Sequence, residues 1–194
     1  MTPIELEAIV LAAGAGRRFG GAKLSAPWRG GALIDGAVAA ALAAPVRRVI
    51  VVTGADPAVG DWVRAFADPR LALVRAADHA LGMSASLRAG LAATSSGVAG
   101  AYVFLGDMPL VPHDIAGRLA EALAAGALAA APAVGGRRGH PALFSAALFP
   151  QLASLEGDVG ARGVLDALGP RLTLIETTDQ GVLADVDTPD DFRP

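Results

Sequence analysis

A glycine-rich stretch with three cationic side chains follows the first apolar run of the chain, residues 8–11. Residues 11–24 read LAAGAGRRFGGAKL. Glycine has no Cβ, so its backbone N–H groups can approach an anion closely. Arg17, Arg18 and Lys23 can supply the countercharge. The stretch predicts a phosphate-binding loop at the carboxyl end of a buried strand; the alternative is an ordinary strand-to-helix turn with solvated cations.

Two familiar phosphate-binding motifs do not fit this stretch. The dinucleotide-binding fingerprint requires a third glycine where the chain has Phe19. The Walker motif requires Gly-Lys-Ser/Thr, whereas Ala22 separates Gly21 from Lys23 and Leu24 follows the lysine. The sequence therefore predicts neither a dinucleotide fold of that type nor a P-loop.

Carboxylates follow two other apolar runs. Asp107 comes directly after the run 101–105, and Asp185 and Asp187 lie at the end of the run 182–186. Ligands of open α/β sheets gather at the carboxyl ends of strands, and Mg²⁺ is usually held by one or two carboxylates plus substrate phosphates. The pattern favours a Mg²⁺–nucleotide site. The alternatives are a turn-forming Asp107 and a helix-start Asp187.

Short β-like runs alternate with amphipathic helical patterns along the chain, which predicts one α/β domain over residues 1–194 with helices on both faces of a sheet. The later strands are predicted at 48–53, 71–74, 101–105, 129–134, 142–144, 172–177 and 182–186. Helices are predicted around Ile34–Leu42, Val59–Phe66, Leu87–Leu91, Ile115–Leu123 and 146–152, with two more, one after Gly160 that ends at Leu168 and one that begins at Thr188. Trp62 is expected on the core face of its helix, and Ser84 is expected to be the N-cap of the helix around Leu87–Leu91.

Composition excludes several classes of protein. The 194 residues are 53% hydrophobic and 18% charged, which is typical of a globular chain. The absence of cysteine excludes disulfides and thiolate metal sites and favours a cytoplasmic protein. A net charge of −3 gives no broad basic surface for nucleic acid. The most apolar stretch, 122–134, is too short for a membrane span, and the acidic start argues against a signal peptide.

Six motifs occur in the order seen in molybdenum cofactor nucleotidyltransferases, and the chain most resembles the cytidylyltransferases among them. They are LAAGAGRRFGGAK, GMSASLRAGL, LGDMPLV, GRRGHPALF, GDVGAR and DVDTPDD. The resemblance implies a Rossmann-like three-layer α/β/α domain with a mostly parallel sheet, similar to nucleotide-diphospho-sugar transferases. It also implies Mg²⁺-dependent transfer of a nucleotidyl group to a phosphorylated pterin, with release of pyrophosphate.

The resemblance also implies roles for particular residues. The catalytic residues would be Arg18, Lys23 and Asp107, with Arg18 and Lys23 on the triphosphate. Asp107 and Asp187 match the metal-binding positions, with Asp185 as a second choice for the latter. The nucleotide-binding residues would be Leu11, Ala12, Ala13, Gly14, Gly16, Lys23, Gly82, Met83 and Ser84, and the acceptor-binding residues Arg138, His140 and Asp158.

The same resemblance bears on the choice of base. Ala13 stands where cytidine enzymes of the family have alanine and guanosine enzymes have glycine, so CTP is favoured over GTP. The amide groups of Gly82, Met83 and Ser84 are expected to read the edge of a pyrimidine. Ala22 replaces a common proline and Ala76 a common asparagine, which puts loop geometry and nucleotide affinity in question.

Several functions stay open beside cytidylyl transfer to a molybdopterin-type cofactor. They are guanylyl transfer to the same acceptor, an oxidoreductase of the kind assigned to relatives that act on nicotine-derived pigments, a non-catalytic carrier that passes the cofactor to a molybdoenzyme, and a sugar-phosphate nucleotidyltransferase. The unmatched position of Phe19 and the paired aspartates argue against hydride transfer. No nucleic-acid or membrane partner is expected.

Overall fold

The computed structural model describes residues 4–14, 16, 19–188 and 191. Within them the strands are β1 (Leu6–Ala12), β2 (Pro27–Trp28), β3 (Gly31–Ala32), β4 (Arg48–Thr53), β5 (Leu71–Arg75), β6 (Gly100–Leu105), β7 (Ala129–Val134), β8 (Arg137–Arg138), β9 (Ala142–Ser145) and β10 (Leu172–Glu176). The α-helices are α1 (Leu33–Ala43), α2 (Val59–Ala65), α3 (Met83–Ala92), α4 (Ile115–Ala124), α5 (Phe149–Ala153) and α6 (Arg162–Leu168).

The main sheet has the strand order β10-β7-β9-β6-β1-β4-β5, with β8 paired to β7. β1 is parallel to both neighbours, with Ala12 opposite Thr53 of β4 and Leu11 opposite Leu105 of β6. Only β9 runs antiparallel along this path. The predicted mostly parallel sheet is confirmed. The chain leaves β1 for β4 on one side and reaches β6 on the other, so a crevice forms at the carboxyl ends of β1 and β6.

Helices cover both faces of the sheet because side chains alternate along each strand. Ala8, Val10 and Ala12 of β1 pack with residues of α1, α2 and α4 in one buried cluster. Ile9 and Ala13 join residues of α3, α5 and α6 in the other. These clusters give the three α/β/α layers. No helix among the described residues is both long enough and apolar enough to cross a membrane.

The strand predicted at 182–186 is wrong. Gln180–Leu183 forms a 3₁₀ turn, in which Oδ1 of Asp179 accepts a hydrogen bond from Gly181 N at 2.7 Å. The extended segment beyond it pairs with no strand in the described part of the chain. Its backbone donates from Ala184 N to Gly181 O at 3.4 Å and from Val186 N to the carbonyl oxygen of Asp107 at 3.0 Å. The second bond brings the segment that carries Asp187 beside Asp107.

Two smaller predictions also change. Trp62 was expected on the core face of α2, but its side chain is 38% exposed while Val59 and Val63 are buried. The helix predicted from Thr188 falls largely outside the described residues. Asp191 is described, and its Oδ2 accepts hydrogen bonds from Asp187 N, Thr188 N and Thr188 Oγ1.

Candidate active site

A cleft of about 580 Å³ opens at the carboxyl ends of β1 and β6. It brings together most of the residues predicted to bind nucleotide, along with Asp107 and Asp158. Those nucleotide-site residues are Leu11, Ala13, Gly14, Gly16, Lys23, Gly82 and Met83. Ala12 does not line the cleft, because its side chain points into the opposite core cluster.

The glycine-rich loop forms one wall, and its conformation depends on positive φ angles. Gly16, Gly20 and Gly21 have φ of 57°, 91° and 101°, and the amides of Phe19 and Gly21 both donate to Gly16 O. Ala22 follows with φ of 47°. Proline fixes φ near about −65°, so this loop conformation excludes proline at position 22. Ala15, Arg17 and Arg18 lie outside the described residues, and the role of Arg18 stays a prediction.

Lys23 lies between the carboxylates predicted to bind metal. Its Nζ is 2.7 Å from Asp107 Oδ2 and 3.3 Å from Asp187 Oδ1. The lysine side chain is only 10% exposed, against 28% for Asp107 and 42% for Asp187. Asp185 is exposed to solvent. The structure therefore brings Asp187, rather than Asp185, to Lys23.

Two carboxylates that converge on one cation fit the ligand set of Mg²⁺, which completes its shell with substrate phosphates and water. In the structure the cation between these carboxylates is the ammonium group of Lys23. In the described part of the chain, no group of three or more His, Cys, Asp or Glu side chains is arranged to hold a metal ion. That Asp107 and Asp187 hold a metal ion stays a prediction.

Asp56 anchors the base of the loop, and the sequence analysis missed it. Its carboxylate is 7% exposed. Oδ2 accepts from Ser25 Oγ at 2.7 Å, and Oδ1 accepts from Ala58 N at 3.1 Å. The loop that carries Lys23 is thereby tied to the turn after β4. The Asp56-Pro57 pair is an ordinary turn signal, so the local sequence gave no reason to connect it with Ser25.

Helix α3 forms the facing wall, and its first turn corrects two predictions. Its N-cap is Gly82, with φ of 112°, and not Ser84. Met83 N donates to Asp158 Oδ1 at 3.2 Å, and Ser84 donates to Gly157 O through its N at 3.2 Å and its Oγ at 2.6 Å. The amides of Met83 and Ser84 therefore do not face a nucleobase here. Ser84 is fully buried and does not line the cleft.

Of the three residues predicted to bind the acceptor, one lines the cleft and two do not. Asp158 lines the cleft. Arg138 pairs with Asp166 at 2.8 Å, and neither it nor His140 lines the cleft. His140 N donates to Val182 O at 2.8 Å, and its buried Nδ1 has no hydrogen-bond partner among the described residues. Burial lowers the pKa of His140, the charge of Asp107 opposes that shift, and Arg138 adds to it.

Comparison with known proteins identifies a family. Residues 8–172 match the MobA-like NTP transferase domain. The chain is 36% identical to nicotine blue oxidoreductase from Paenarthrobacter nicotinovorans, over 93% of this chain and 91% of the relative. It is 33% identical to purine catabolism protein PucB from Bacillus subtilis, over 95% and 92%. It is 28% identical to molybdenum cofactor cytidylyltransferase from Escherichia coli, over 96% and 93%.

Solved structures agree with the architecture. The crystal structure of Rv0371c from Mycobacterium tuberculosis matches with a TM-score of 0.82 at 28% identity, covering 98% of this chain and 97% of that one. A nucleotidyl transferase from Methanothermobacter thermautotrophicus matches with a TM-score of 0.78 at 26% identity, covering 97% and 94%. The predicted resemblance to nucleotidyltransferases is confirmed at the level of family and fold.

Proposed function

We propose that this chain, which belongs to the MobA-like NTP transferase family, transfers CMP from CTP to the terminal phosphate of a molybdopterin-type cofactor. An oxygen of the acceptor phosphate would bond to the α-phosphorus of CTP, and the bond from that phosphorus to the β-phosphate would break, releasing pyrophosphate. The observation that supports this most is the contact of Lys23 with Asp107 and Asp187 in a glycine-lined cleft.

The reaction needs no protein nucleophile or general base. The attacking phosphate oxygen is already an anion, so the protein has to align it with the α-phosphorus and offset negative charge. Lys23, which lines the cleft and whose side chain is largely shielded from water, would offset part of that charge. Arg18 would assist on the triphosphate. The backbone of Gly14 and Gly16 would lie along the phosphates, since both glycines line the cleft.

Asp107 and Asp187 would hold Mg²⁺ in this proposal. A bound Mg²⁺ supplies charge neutralisation at phosphate oxygens and at the departing pyrophosphate. Asp107 is fixed for this task by its backbone, because its carbonyl accepts the hydrogen bond of Val186 N. That bond holds the chain segment leading to Asp187 close to the carboxylate of Asp107.

Ala13 supports the choice of CTP. It lines the cleft and is 3% exposed. Its side chain packs in a buried cluster, and a Cβ built on Gly54 would lie 2.7 Å from Ala13 Cβ and 2.6 Å from its carbonyl oxygen, so Ala13 lies close against Gly54. The choice of CTP rests on the resemblance at this position, where cytidine enzymes of the family have alanine.

The 36% identity with nicotine blue oxidoreductase supports a second candidate, the oxidation or reduction of a heteroaromatic pigment. In that case Asp107 and Asp187 would not be needed to hold a metal ion. The two candidates therefore differ in their dependence on divalent metal and on nucleoside triphosphate.

The deciding experiment measures pyrophosphate release by the purified protein with Mg²⁺, molybdenum-loaded pterin and either CTP or GTP. Asp107→Ala is the test variant. Asp114→Ala is a matched control, because Asp114 is an exposed aspartate that caps α4 without a side-chain hydrogen bond. Release with CTP that is lost in Asp107→Ala and kept in Asp114→Ala is the expected result.

Other outcomes would each favour a different function. Release with GTP alone would keep the reaction type and overturn the choice of base. Tight binding of the pterin without release from either nucleotide would indicate a carrier. Reduction of nicotine blue by an added nicotinamide dinucleotide as hydride donor, unaffected by removal of Mg²⁺ and by Asp107→Ala, would establish the oxidoreductase instead.

A further inference from the structure

We propose that Asp158 is a positioning residue that caps helix α3 from a neighbouring loop and thereby couples nucleotide binding to the acceptor loop. The proposal rests on the proposed function. This role is additional to the acceptor contact that the resemblance implies for Asp158. Two backbone segments are in contact here. Residues 82–84 at the start of α3 form the α3 turn, and residues 155–160 before α6 form the acceptor loop.

The α3 turn cannot cap itself. The first amides of a helix have no partner within the helix, and a side-chain oxygen at the N-cap normally accepts from one of them. Gly82 occupies the N-cap and has no side chain to offer. The free donors are instead satisfied by the acceptor loop, with Met83 N bonded to Asp158 Oδ1 and Ser84 N bonded to Gly157 O.

Close backbone packing makes this contact specific to the two segments. A Cβ on Gly82 would lie 2.5 Å from Gly157 O, and a Cβ on Gly160 would lie 2.6 Å from Met83 Sδ. Gly160 also has φ of 55°. Glycine at these positions lets the acceptor loop approach the α3 turn to hydrogen-bonding distance.

Arg88 adds a third attachment from the next turn of α3. Its Nη1 donates to Leu155 O and, at 3.4 Å, to Ser84 Oγ. The guanidinium thereby joins α3 to the first residue of the acceptor loop.

The coupling follows from where these segments lie. Gly82, Met83 and Asp158 all line the cleft that is proposed to hold CTP. The acceptor loop therefore cannot shift without releasing the amides that fix the nucleotide wall. By thermodynamic linkage, a substrate that orders one segment strengthens binding at the other. Asp158 acts in this scheme through Met83 and the backbone, without having to touch CTP.

The test measures CTP affinity by calorimetry with no acceptor present, together with amide hydrogen exchange at residues 82–84. We compare Asp158→Ala, Asp158→Asn and Glu156→Ala. Asparagine keeps a cap oxygen and loses the charge. Glu156 is an exposed acid of the same loop that makes no hydrogen bond or ion pair within the described structure, so its variant is the matched control.

We expect Asp158→Ala to raise the Kd for CTP about fivefold, in keeping with the loss of one ordinary, solvent-exposed hydrogen bond, and to speed exchange at Met83. Asp158→Asn and Glu156→Ala should stay within about twofold of wild type, because one hydrogen bond is kept and the other residue makes none. A purely acceptor-binding Asp158 would leave CTP affinity unchanged in all three variants.

The outcomes separate this inference from the proposed function. Wild-type binding of CTP with unchanged affinity in Asp158→Ala would overturn the coupling and leave the proposed function standing. Unchanged exchange at Met83 in Asp158→Ala would overturn the cap itself. Failure of the wild-type protein to bind CTP or GTP would overturn the proposed function and the coupling with it. Loss of affinity in Asp158→Asn equal to that in Asp158→Ala would assign the effect to charge instead of the cap.

Discussion

The Nζ atom of Lys23 lies 2.7 Å from Oδ2 of Asp107, although 84 residues separate them in the chain. Lys23 comes from the loop after β1 and Asp107 from the end of β6, and these strands are neighbours in the sheet. The lysine proposed to bind triphosphate and the carboxylate proposed to bind metal therefore neutralise each other. Substrate and metal would have to replace that contact when they bind.

Removing the lysine should change metal affinity in the absence of nucleotide. We expect Lys23→Met to bind Mn²⁺ roughly tenfold more tightly than wild type, an effect of about 1.4 kcal/mol, because the ammonium no longer competes for Asp107 and Asp187. Cytidylyl transfer should fall by about 100-fold or more, as for loss of a preorganised charge. Calorimetry with Mn²⁺ and steady-state kinetics measure the two effects.

Arg171→Met is the control for that experiment, because Arg171 is an exposed cation at the amino end of β10, away from the cleft. Equal Mn²⁺ affinity in wild type and Lys23→Met would show that the lysine does not compete with metal.

The two aspartates of the Asp185-Val186-Asp187 segment should differ sharply. Asp187 contacts Lys23 at 3.3 Å, whereas Asp185 is exposed to solvent. We expect Asp187→Asn to raise the Mg²⁺ concentration needed for half-maximal activity about tenfold or more, since a neutral amide is a weaker ligand for a hard cation. Asp185→Asn should stay close to wild type in the same titration. The reverse order of effects would place Asp185 in the metal site.

The sequence predicted much of the sheet because buried parallel strands have a distinctive pattern. The strand predicted at 48–53 matches β4, and the one at 129–134 matches β7. Both are short apolar runs bounded by turn or charged residues, as expected where helices cover both faces. The sequence also predicted a site at the carboxyl ends of β1 and β6, because ligands of open α/β sheets bind at the carboxyl ends of strands. The cleft lies there.

The prediction of a last strand failed because an apolar pattern does not specify a hydrogen-bonding partner. Residues 182–186 are partly apolar, yet they make only isolated backbone bonds, to His140, Gly181 and Asp107, and pair with no strand in the described structure. Strand formation depends on neighbouring strands more than on local preference. The sequence alone does not reveal whether an edge is available.

The prediction that Ser84 caps α3 failed for a related reason. Ser84 satisfies the local rule for an N-cap, but the oxygen that serves Met83 N belongs to Asp158, 75 residues later. Local rules consider partners within one helical turn. Contacts such as this one, and the bond between Ser25 and Asp56, depend on the assembled fold.

Base selectivity should respond to Ala13. We expect Ala13→Gly to raise the ratio of kcat/KM for GTP to that for CTP by about tenfold, in line with the effect of one methyl group on pocket discrimination. Ala13 is one of the residues that line the cleft. Ala12→Gly makes the same change at a core position that does not line the cleft, so it should lower stability without changing the ratio. A ratio that is equal in both variants would remove Ala13 from base selection.

His140 should make stability fall in mild acid. Burial lowers its pKa, so the folded state keeps a neutral imidazole at a pH where the unfolded chain, with a histidine pKa of about 6.5, takes up a proton. The contribution of this group to stability is therefore intact above about pH 6.5 and is lost as the pH falls towards the lowered folded-state pKa. Urea unfolding at pH 7.5 and 5.5, values on either side of about 6.5, should show a larger loss for wild type than for His140→Gln. His113→Gln, at an exposed histidine, is the control and should lose as much as wild type; an equal loss in His140→Gln would contradict the prediction.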